Sequence, residues 1–108
     1  MARIYSALLA SGTLTGASNA LVYTAPSGKL VVVRDVVLLH DDSLVRRVAL
    51  YGLSGGVASY IASSRVTDPS SVYHWDGRQV LVPGEGLYVL TDSTLHCFYR
   101  VTGYVFDS

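Results

Sequence analysis

The chain has 108 residues, of which 50% are hydrophobic and 15% are charged, with eight basic residues balancing eight acidic ones. A single domain covering residues 1–108 accounts for this length, and a net charge of zero argues against the basic surface with which proteins bind nucleic acid. A neutral chain this apolar tends to associate, which favours a place in an assembly.

No segment looks like a membrane anchor or an export signal. The apolar runs are far shorter than the ~20 residues of a membrane span, and Met1–Ile4 begins a mixed segment without the apolar core of a signal peptide. We therefore expect a soluble protein made in a cytoplasm, with no membrane or nucleic-acid partner. Cys97 is the only cysteine, so an internal disulfide is excluded, and its apolar neighbours predict a buried thiol.

The composition favours strands over helices. Glu, Gln and Lys, which support solvated helix faces, occur once each, whereas β-branched residues and tyrosines are frequent. Turn-forming residues recur at short, fairly regular intervals, as they do in sandwiches and barrels. We predict an all-β fold: a single antiparallel β-sandwich or jelly roll of about eight short strands.

In the first third of the chain, strands are predicted at Arg3–Ala10 and Ala20–Thr24, separated by a loop of small residues at 11–19. A turn follows at Pro26-Ser27-Gly28, where the proline presets φ at the first central position and the glycine accepts a positive φ. Lys29–Leu39 is the strongest strand. It lacks strict alternation, which predicts burial on both faces for part of its length or a bulge near Arg34 and Asp35.

In the middle of the chain, an exposed polar turn at His40–Ser43 precedes a strand at Val45–Leu53. Ser54-Gly55-Gly56 predicts a hairpin turn into a strand at Val57–Ala62. Residues 63–71 are predicted to be irregular, with a helical turn as the alternative.

The last third is predicted to contain strands at Val72–Trp75, Arg78–Val82, Leu87–Thr91 and Thr94–Phe106. Tight turns are predicted at Asp76-Gly77 and at Pro83–Gly86, because glycine and proline are the strongest local turn formers.

Enzyme chemistry finds little support in the sequence. His40, His74 and His96 have no second histidine two or four residues away, so the His-x-His pair of cupin-type metalloenzymes is missing. Gly-x-Ser-x-Gly is absent, and the acidic residues fall mostly in predicted turns. We predict no catalytic residue, cofactor or metal site. A degenerate cupin-type enzyme stays as a distant hypothesis, which requires the three histidines to converge.

Aromatic residues occur in nearly every predicted strand. Packing in the core and on the sheet faces accounts for most of them, and the alternative is an interface, where Tyr and Trp give rigid contact area. The densest cluster predicts a contact site, formed by Tyr73, His74, Trp75 and Arg78. A carbohydrate platform could use the same side chains.

Three segments resemble small virion proteins of tailed bacteriophages. Residues 23–36 (YTAPSGKLVVVRDV) are similar to a hairpin with the pattern P-x-G-K followed by V-V-R-D. Residues 75–87 (WDGRQVLVPGEGL) are similar to the segment W-x-G-R-x-V-L-x-P-G-E-x-L, and residues 100–106 (RVTGYVF) to a closing strand with V-S-G-Y. They are spread along the chain, from residue 23 to residue 106.

The resemblance implies a non-enzymatic structural protein of a virion, of the capsid decoration or head–tail accessory type. It also implies a homo-oligomer, expected to be a trimer, that binds other virion proteins such as the major capsid protein. The alternative is a receptor- or glycan-binding module at a tail tip, which would use Trp75. The long apolar run in 30–39 must then be central in its sheet or covered by another chain.

Overall fold

Strands joined by short turns make up the residues that the computed structural model describes, which are 4–44, 46–54, 57–67, 72–93 and 95–107. In chain order the strands are β1 (Ile4–Thr15), β2 (Ser18–Thr24), β3 (Lys29–His40), β4 (Arg46–Ser54), β5 (Val57–Thr67), β6 (Val72–Leu81), β7 (Gly86–Thr91) and β8 (His96–Asp107). These residues contain no helix long and apolar enough to cross a membrane.

The eight strands form two sheets. Sheet I has the order β1-β8-β3-β6 and sheet II the order β2-β7-β4-β5, and every pairing is antiparallel. Only β4 and β5 are consecutive strands within one sheet, so the other connections cross between the sheets. Eight antiparallel strands divided in this way form a jelly roll, which confirms the predicted fold class.

The core lies between the two sheets and is built from side chains that alternate along the strands. β3 pairs with both β8 and β6, so its apolar run is central in the sheet. Cys97 is 1% exposed and belongs to this core, as predicted. Burial of each large apolar side chain contributes about 1.5–3 kcal/mol. The buried residues include Val31, Val33, Val36, Leu38, Val48, Leu50, Leu81, Leu87, Val89, Val101 and Val105.

β3 contains the bulge that its irregular pattern predicted. Its register shifts between Val33 and Asp35 against both neighbouring strands, while the corresponding partners on β8 are consecutive. Arg34 is therefore an extra residue in β3. Because Val33 and Val36 are both buried in the core, the bulge leaves Arg34 and Asp35 together towards the outer side of the sheet.

Gly103 on β8 permits a close approach of β3 beside this bulge. A Cβ atom at position 103 would lie 2.1 Å from the carbonyl oxygen of Val32 and 3.1 Å from the Cα of Val33. Both contacts are with backbone atoms, so a side chain here would push the two central strands apart. The glycine is required by strand packing, although glycine in a sequence more often indicates a turn.

β1 is longer than predicted, and the predicted loop at 11–19 is wrong. The strand continues to Thr15, so only Gly16 and Ala17 separate it from β2. The small residues serve packing inside the strand: a Cβ atom at Gly12 would lie 2.6 Å from the hydroxyl oxygen of Tyr99. The Tyr99 side chain therefore occupies the space that a larger residue at position 12 would fill.

The predicted pairing of β4 with β5 is confirmed, and β5 is longer than predicted. Residues 63–67, predicted to be irregular, continue β5 opposite β4, with register shifts in the β4–β5 pairing. The predicted turn at Gly55-Gly56 and the remainder of the irregular stretch, 68–71, lie outside the described residues. Three predicted strand residues also lie outside them: Arg3, Val45 and Thr94.

β6 is one continuous strand, so the predicted tight turn at Asp76-Gly77 is wrong. A Cβ atom at Gly77 would lie 3.0 Å from the Cζ2 atom of Trp75. The glycine therefore makes room for the indole ring along the inner face of the strand. Here β6 also passes the bulge of β3, since Asp76 pairs with Asp35 and Gln79 with Val33.

The two proline turns lie against each other. In the first, the Lys29 N–H donates to the Pro26 carbonyl at 3.1 Å, so Pro26 precedes the two central residues and is not, as predicted, the first of them. Gly28 and Gly84 adopt positive φ angles of 75° and 85°, as the glycine of such a turn can. The Gly84 N–H donates to the Ala25 carbonyl at 2.8 Å, which joins the two turns.

The segment predicted as an exposed polar turn at 40–43 is partly buried. His40 is the last residue of β3 and is 1% exposed, and Asp42 is 3% exposed. The Asp42 carboxylate accepts the Leu44 N–H at 3.1 Å and the Arg46 Nε–H at 2.7 Å. Asp42 therefore organises the connection from β3 to β4. The run of polar residues around it predicted an exposed turn instead.

Candidate binding surface on the outer face of sheet I

Among the side chains whose exposure the structure describes, which leave out most of those on β5, the exposed apolar ones are concentrated on one face of the molecule. Of the twelve large hydrophobic residues that are exposed in the described part of the chain, seven alternate with core residues along β1, β3, β6 and β8 and so lie on the outer face of sheet I. We call these seven the apolar patch. They are Leu8, Leu30, Leu39, Val72, Val80, Phe98 and Tyr104.

Two adjacent depressions in this face share Arg34 and Tyr104 in their walls. The first has a volume of about 420 Å³ and is also lined by Asp35 and Arg100. The second has a volume of about 320 Å³ and is also lined by Arg78. We call the two depressions together the arginine groove. Within the described residues its three guanidinium groups form no ion pair with a carboxylate.

A cluster of one histidine and two aspartates borders the groove. Asp35 and Asp76 are direct partners across β3 and β6, and His74 lies two residues before Asp76 on the same face of β6. His74 Nε2 lies 2.9 Å from Asp35 Oδ1. Since an ionised carboxylate only accepts hydrogen bonds, this ring nitrogen carries the proton. The donor atoms of the three residues all lie within 4.8 Å of one another.

A second histidine–aspartate pair lies where β3 ends and β8 begins. The Asp41 carboxylate accepts the backbone N–H of His96 at 2.8 Å and the His96 Nδ1–H at 2.8 Å. The hydrogen bond from the His96 backbone, followed by that from its ring, lowers the pKa of Asp41 below its usual value of 3.8. Both of these hydrogen bonds to Asp41 come from one residue, and they tie the start of β8 to the end of β3.

The structure separates the four residues of the predicted contact site. Tyr73 and Trp75 are only partly exposed and pack against the core, whereas His74 and Arg78 are exposed on the outer face of sheet I. The cause is the strict alternation of β6, which the predicted turn at Asp76-Gly77 would have interrupted. A contact through this strand is thus expected to use His74 and Arg78 directly.

Sequence reasoning missed the other polar residues of this surface. Arg34 and Asp35 belong to the V-V-R-D pattern, and the predicted bulge there could have indicated that both face outwards. Arg100 and Tyr104 alternate with the buried Val101 and Val105 along β8, a pattern that also indicates an outer face.

On sheet II two half-buried tyrosines pack with one another. The rings of Tyr51 and Tyr88 stack with centroids 5.1 Å apart and an interplanar angle of 10°. The Tyr51 hydroxyl donates to Oδ1 of Asn19 on β2. These contacts match the expectation that most tyrosines serve packing on the sheet faces.

The three histidines do not converge. His40 is buried in phase with Leu38 on β3, whereas His74 and His96 are exposed on the opposite side of the same sheet. Among the described residues, the group that could surround an ion contains only one of the three, His74. The convergence that a cupin-type enzyme requires is therefore not found.

Comparison with known proteins identifies the fold but no family. No family model and no curated protein matches the sequence. Among solved structures, that of the infectious bursal disease virus Gx strain matches with a TM-score of 0.58 and 12% identity over 97% of this chain and 32% of the viral chain. A subviral particle of VP2 from the same virus matches with a TM-score of 0.57, 10% identity and coverages of 97% and 32%.

A protein of a different origin has a similar fold. A Bacillus endospore appendage, described as belonging to a family of disulfide-linked pili, matches with a TM-score of 0.53 and 13% identity over 100% of this chain and 90% of its own. This chain spans about a third of the viral chains that it matches. At these identities the similarity shows the fold alone, an all-β sandwich found in a viral particle and in a pilus.

Proposed function

We propose that the protein is a non-enzymatic structural component of a tailed-phage virion, of the capsid decoration or head–tail accessory type, and that it attaches through the outer face of sheet I. The observation that carries this proposal is the apolar patch. Exposed apolar area concentrated on one face and bordered by polar groups is typical of a protein–protein contact surface.

The arrangement of the three resemblance segments supports the same proposal. The turn in 23–36 and the turn in 75–87 are joined by the hydrogen bond between Gly84 and Ala25. Gly103 of the third segment lies against Val32 of the first. The segments that resemble phage virion proteins thus pack together as one part of the fold.

Charge and the structural neighbours are compatible with repeated packing. A chain with no net charge has little self-repulsion to oppose association. The named neighbours come from a viral particle and from pili, and a jelly roll suits such assemblies. In the proposed role the protein is a trimer that binds the major capsid protein on the particle.

A tail-tip glycan-binding module is the weaker candidate. Its aromatic platform depended on Trp75, and that side chain packs against the core. No other tryptophan is present in the chain.

A matched pair of charge substitutions tests the proposed surface. Val80→Lys places a charge in the apolar patch, and Leu90→Lys places one on the outer face of sheet II, where the native leucine is also exposed. We expect Val80→Lys to abolish self-association, measured by light scattering, and co-sedimentation with parent particles lacking the native protein, whereas Leu90→Lys retains both. A strictly monomeric wild-type protein that does not bind particles would contradict the proposal, as would equal effects of the two substitutions.

A further inference from the structure

We propose that Asp35, His74 and Asp76 form a binding site for a divalent transition-metal ion on the outer face of sheet I. This inference rests on the geometry of the cluster and stands independently of the virion role. No His-x-His pair marks this site in the sequence, because its members come from two strands that are distant in the chain.

The fold itself brings the three donors together. His74 and Asp76 lie two residues apart on β6 and so share a face. Asp35 is the direct partner of Asp76 across the β3–β6 pair, and the bulge at Arg34 places it on that same face. All three positions belong to strands of one sheet, which holds them more precisely than a loop would.

A cation would offset the repulsion between the two carboxylates of the cluster. Two like charges directly opposite each other on neighbouring strands destabilise a sheet, and Asp35 and Asp76 are such a pair. His74 contacts Asp35, but the Asp76 carboxylate has no hydrogen bond or ion pair within the described part of the chain. An ion between the two carboxylates would convert this repulsion into attraction.

The donor set selects the class of ion. One imidazole nitrogen and two carboxylate oxygens suit Zn²⁺ and its first-row neighbours, whereas Ca²⁺ requires six to eight oxygen donors. Metal bonds of about 2.0–2.2 Å place neighbouring donor atoms of a tetrahedral site about 3.3–3.6 Å apart. His74 Nε2 and Asp35 Oδ1 lie 2.9 Å apart across a hydrogen bond, so an ion that replaces the Nε2 proton moves these two exposed side chains apart by a few tenths of an ångström. Rotation of the exposed Asp76 side chain brings in the third donor.

The site is open to solvent on one side. The side chains of His74 and Asp35 are 52% and 46% exposed, so an ion bound by three protein donors keeps coordination positions for water or for a donor from a docked surface. Arg34, which borders the same groove, opposes a positive ion electrostatically. Binding therefore depends on chelation by all three donors, and loss of any one of them should greatly lower the affinity for the ion.

Isothermal titration of the tag-free protein with ZnCl₂, repeated with CaCl₂, tests the proposal. We expect one Zn²⁺ per chain, no comparable binding of Ca²⁺, and a shift of the His74 ring signals in NMR spectra. His74→Ala and Asp76→Asn should each weaken Zn²⁺ binding at least about 100-fold, the upper end of what loss of an outer-shell partner causes.

The second histidine–aspartate pair supplies the matched control. His96 and Asp41 are similarly exposed and similarly close, but no third donor joins them among the described residues, so His96→Ala should leave Zn²⁺ affinity within about twofold of the native value. Circular dichroism of each variant without metal checks that it folds. Absence of Zn²⁺ binding by the native protein, equal losses from His74→Ala and His96→Ala, or native affinity in Asp76→Asn would each overturn the site.

Discussion

The two histidine–aspartate pairs of sheet I differ in how completely their hydrogen-bonding capacity is used. Asp41 accepts hydrogen bonds from both the backbone and the ring of His96. Asp35 accepts only the ring N–H of His74 within the described residues, and a second carboxylate, Asp76, lies beside it without a partner. The first pair ties two strand ends together, whereas the second retains unused acceptors that are available to a ligand.

The difference arises from where the pairs are placed in the fold. The Asp41–His96 pair joins residues next to the aligned ends of β3 and β8, so the strand register alone brings them together. The Asp35–His74 pair depends on a bulge, which turns an extra residue of β3 outwards opposite β6. A structural tie can therefore arise from regular pairing, whereas the candidate site requires a local irregularity of the sheet.

The largest expected effect comes from removing the support of that bulge. Gly103→Ala would place a Cβ atom 2.1 Å from the Val32 carbonyl oxygen, and the backbone of two central strands would have to move. We expect a loss of about 3 kcal/mol or more in the free energy of unfolding, at the upper end of overpacking effects, measured by urea denaturation.

The same variant can break the comparison between the pairs. If it still folds, the ring signals of His74 should move in NMR spectra much more than those of His96, because only the first pair depends on the bulge. Equal shifts of both histidines, or native stability, would show that the bulge does not position the Asp35–His74 pair.

Local patterns in the sequence predicted most of the fold. The alternation of apolar residues gave the core strands, the irregular run at 30–39 indicated the bulge, and the Pro-Gly pairs placed two turns. The errors at Gly12 and Gly77 share one cause: each glycine makes room for an aromatic side chain within a strand. From one sequence, a glycine that accommodates a ring cannot be distinguished from a glycine that turns the chain.

The candidate site was less predictable for a different reason. His74 and Arg78 were identified from their aromatic surroundings, but the partners that define their role are distant in the chain. Asp35 and His74 are separated by 39 positions, and they meet only because of the register between β3 and β6. Register depends on the burial of every residue along both strands, so the Asp35–Asp76 pairing follows from the whole sheet and from no local motif.

A smaller effect is expected from Asp41→Asn, which weakens the Asp41–His96 pair. Because the folded-state pKa of Asp41 is lowered, its carboxylate stabilises the fold above the unfolded-state pKa, and this stabilisation is lost as the pH falls through the folded-state value, which lies below 3.8. The variant should therefore be less stable than the native protein at pH 7 and should lose less stability on acidification. Urea midpoints measured between pH 7 and pH 2 give both quantities. Parallel pH curves for the two proteins would contradict the assignment of this pair as a structural tie.

The smallest effect without metal is expected from His74→Ala. An exposed ion pair contributes about 0–1 kcal/mol, and His74 makes a single side-chain contact of this kind, so urea denaturation in the presence of EDTA should detect a change of no more than about 0.5 kcal/mol. In the presence of Zn²⁺, the difference in stability between the native protein and His74→Ala should become large. Ligand binding to the folded state alone stabilises by about 2.7 kcal/mol at a concentration 100 times the Kd, so the native protein should gain stability that His74→Ala does not. An equal gain in both proteins would place the ion elsewhere, and a large loss in EDTA would mean that His74 is a structural tie like His96, which would remove the distinction between the two pairs.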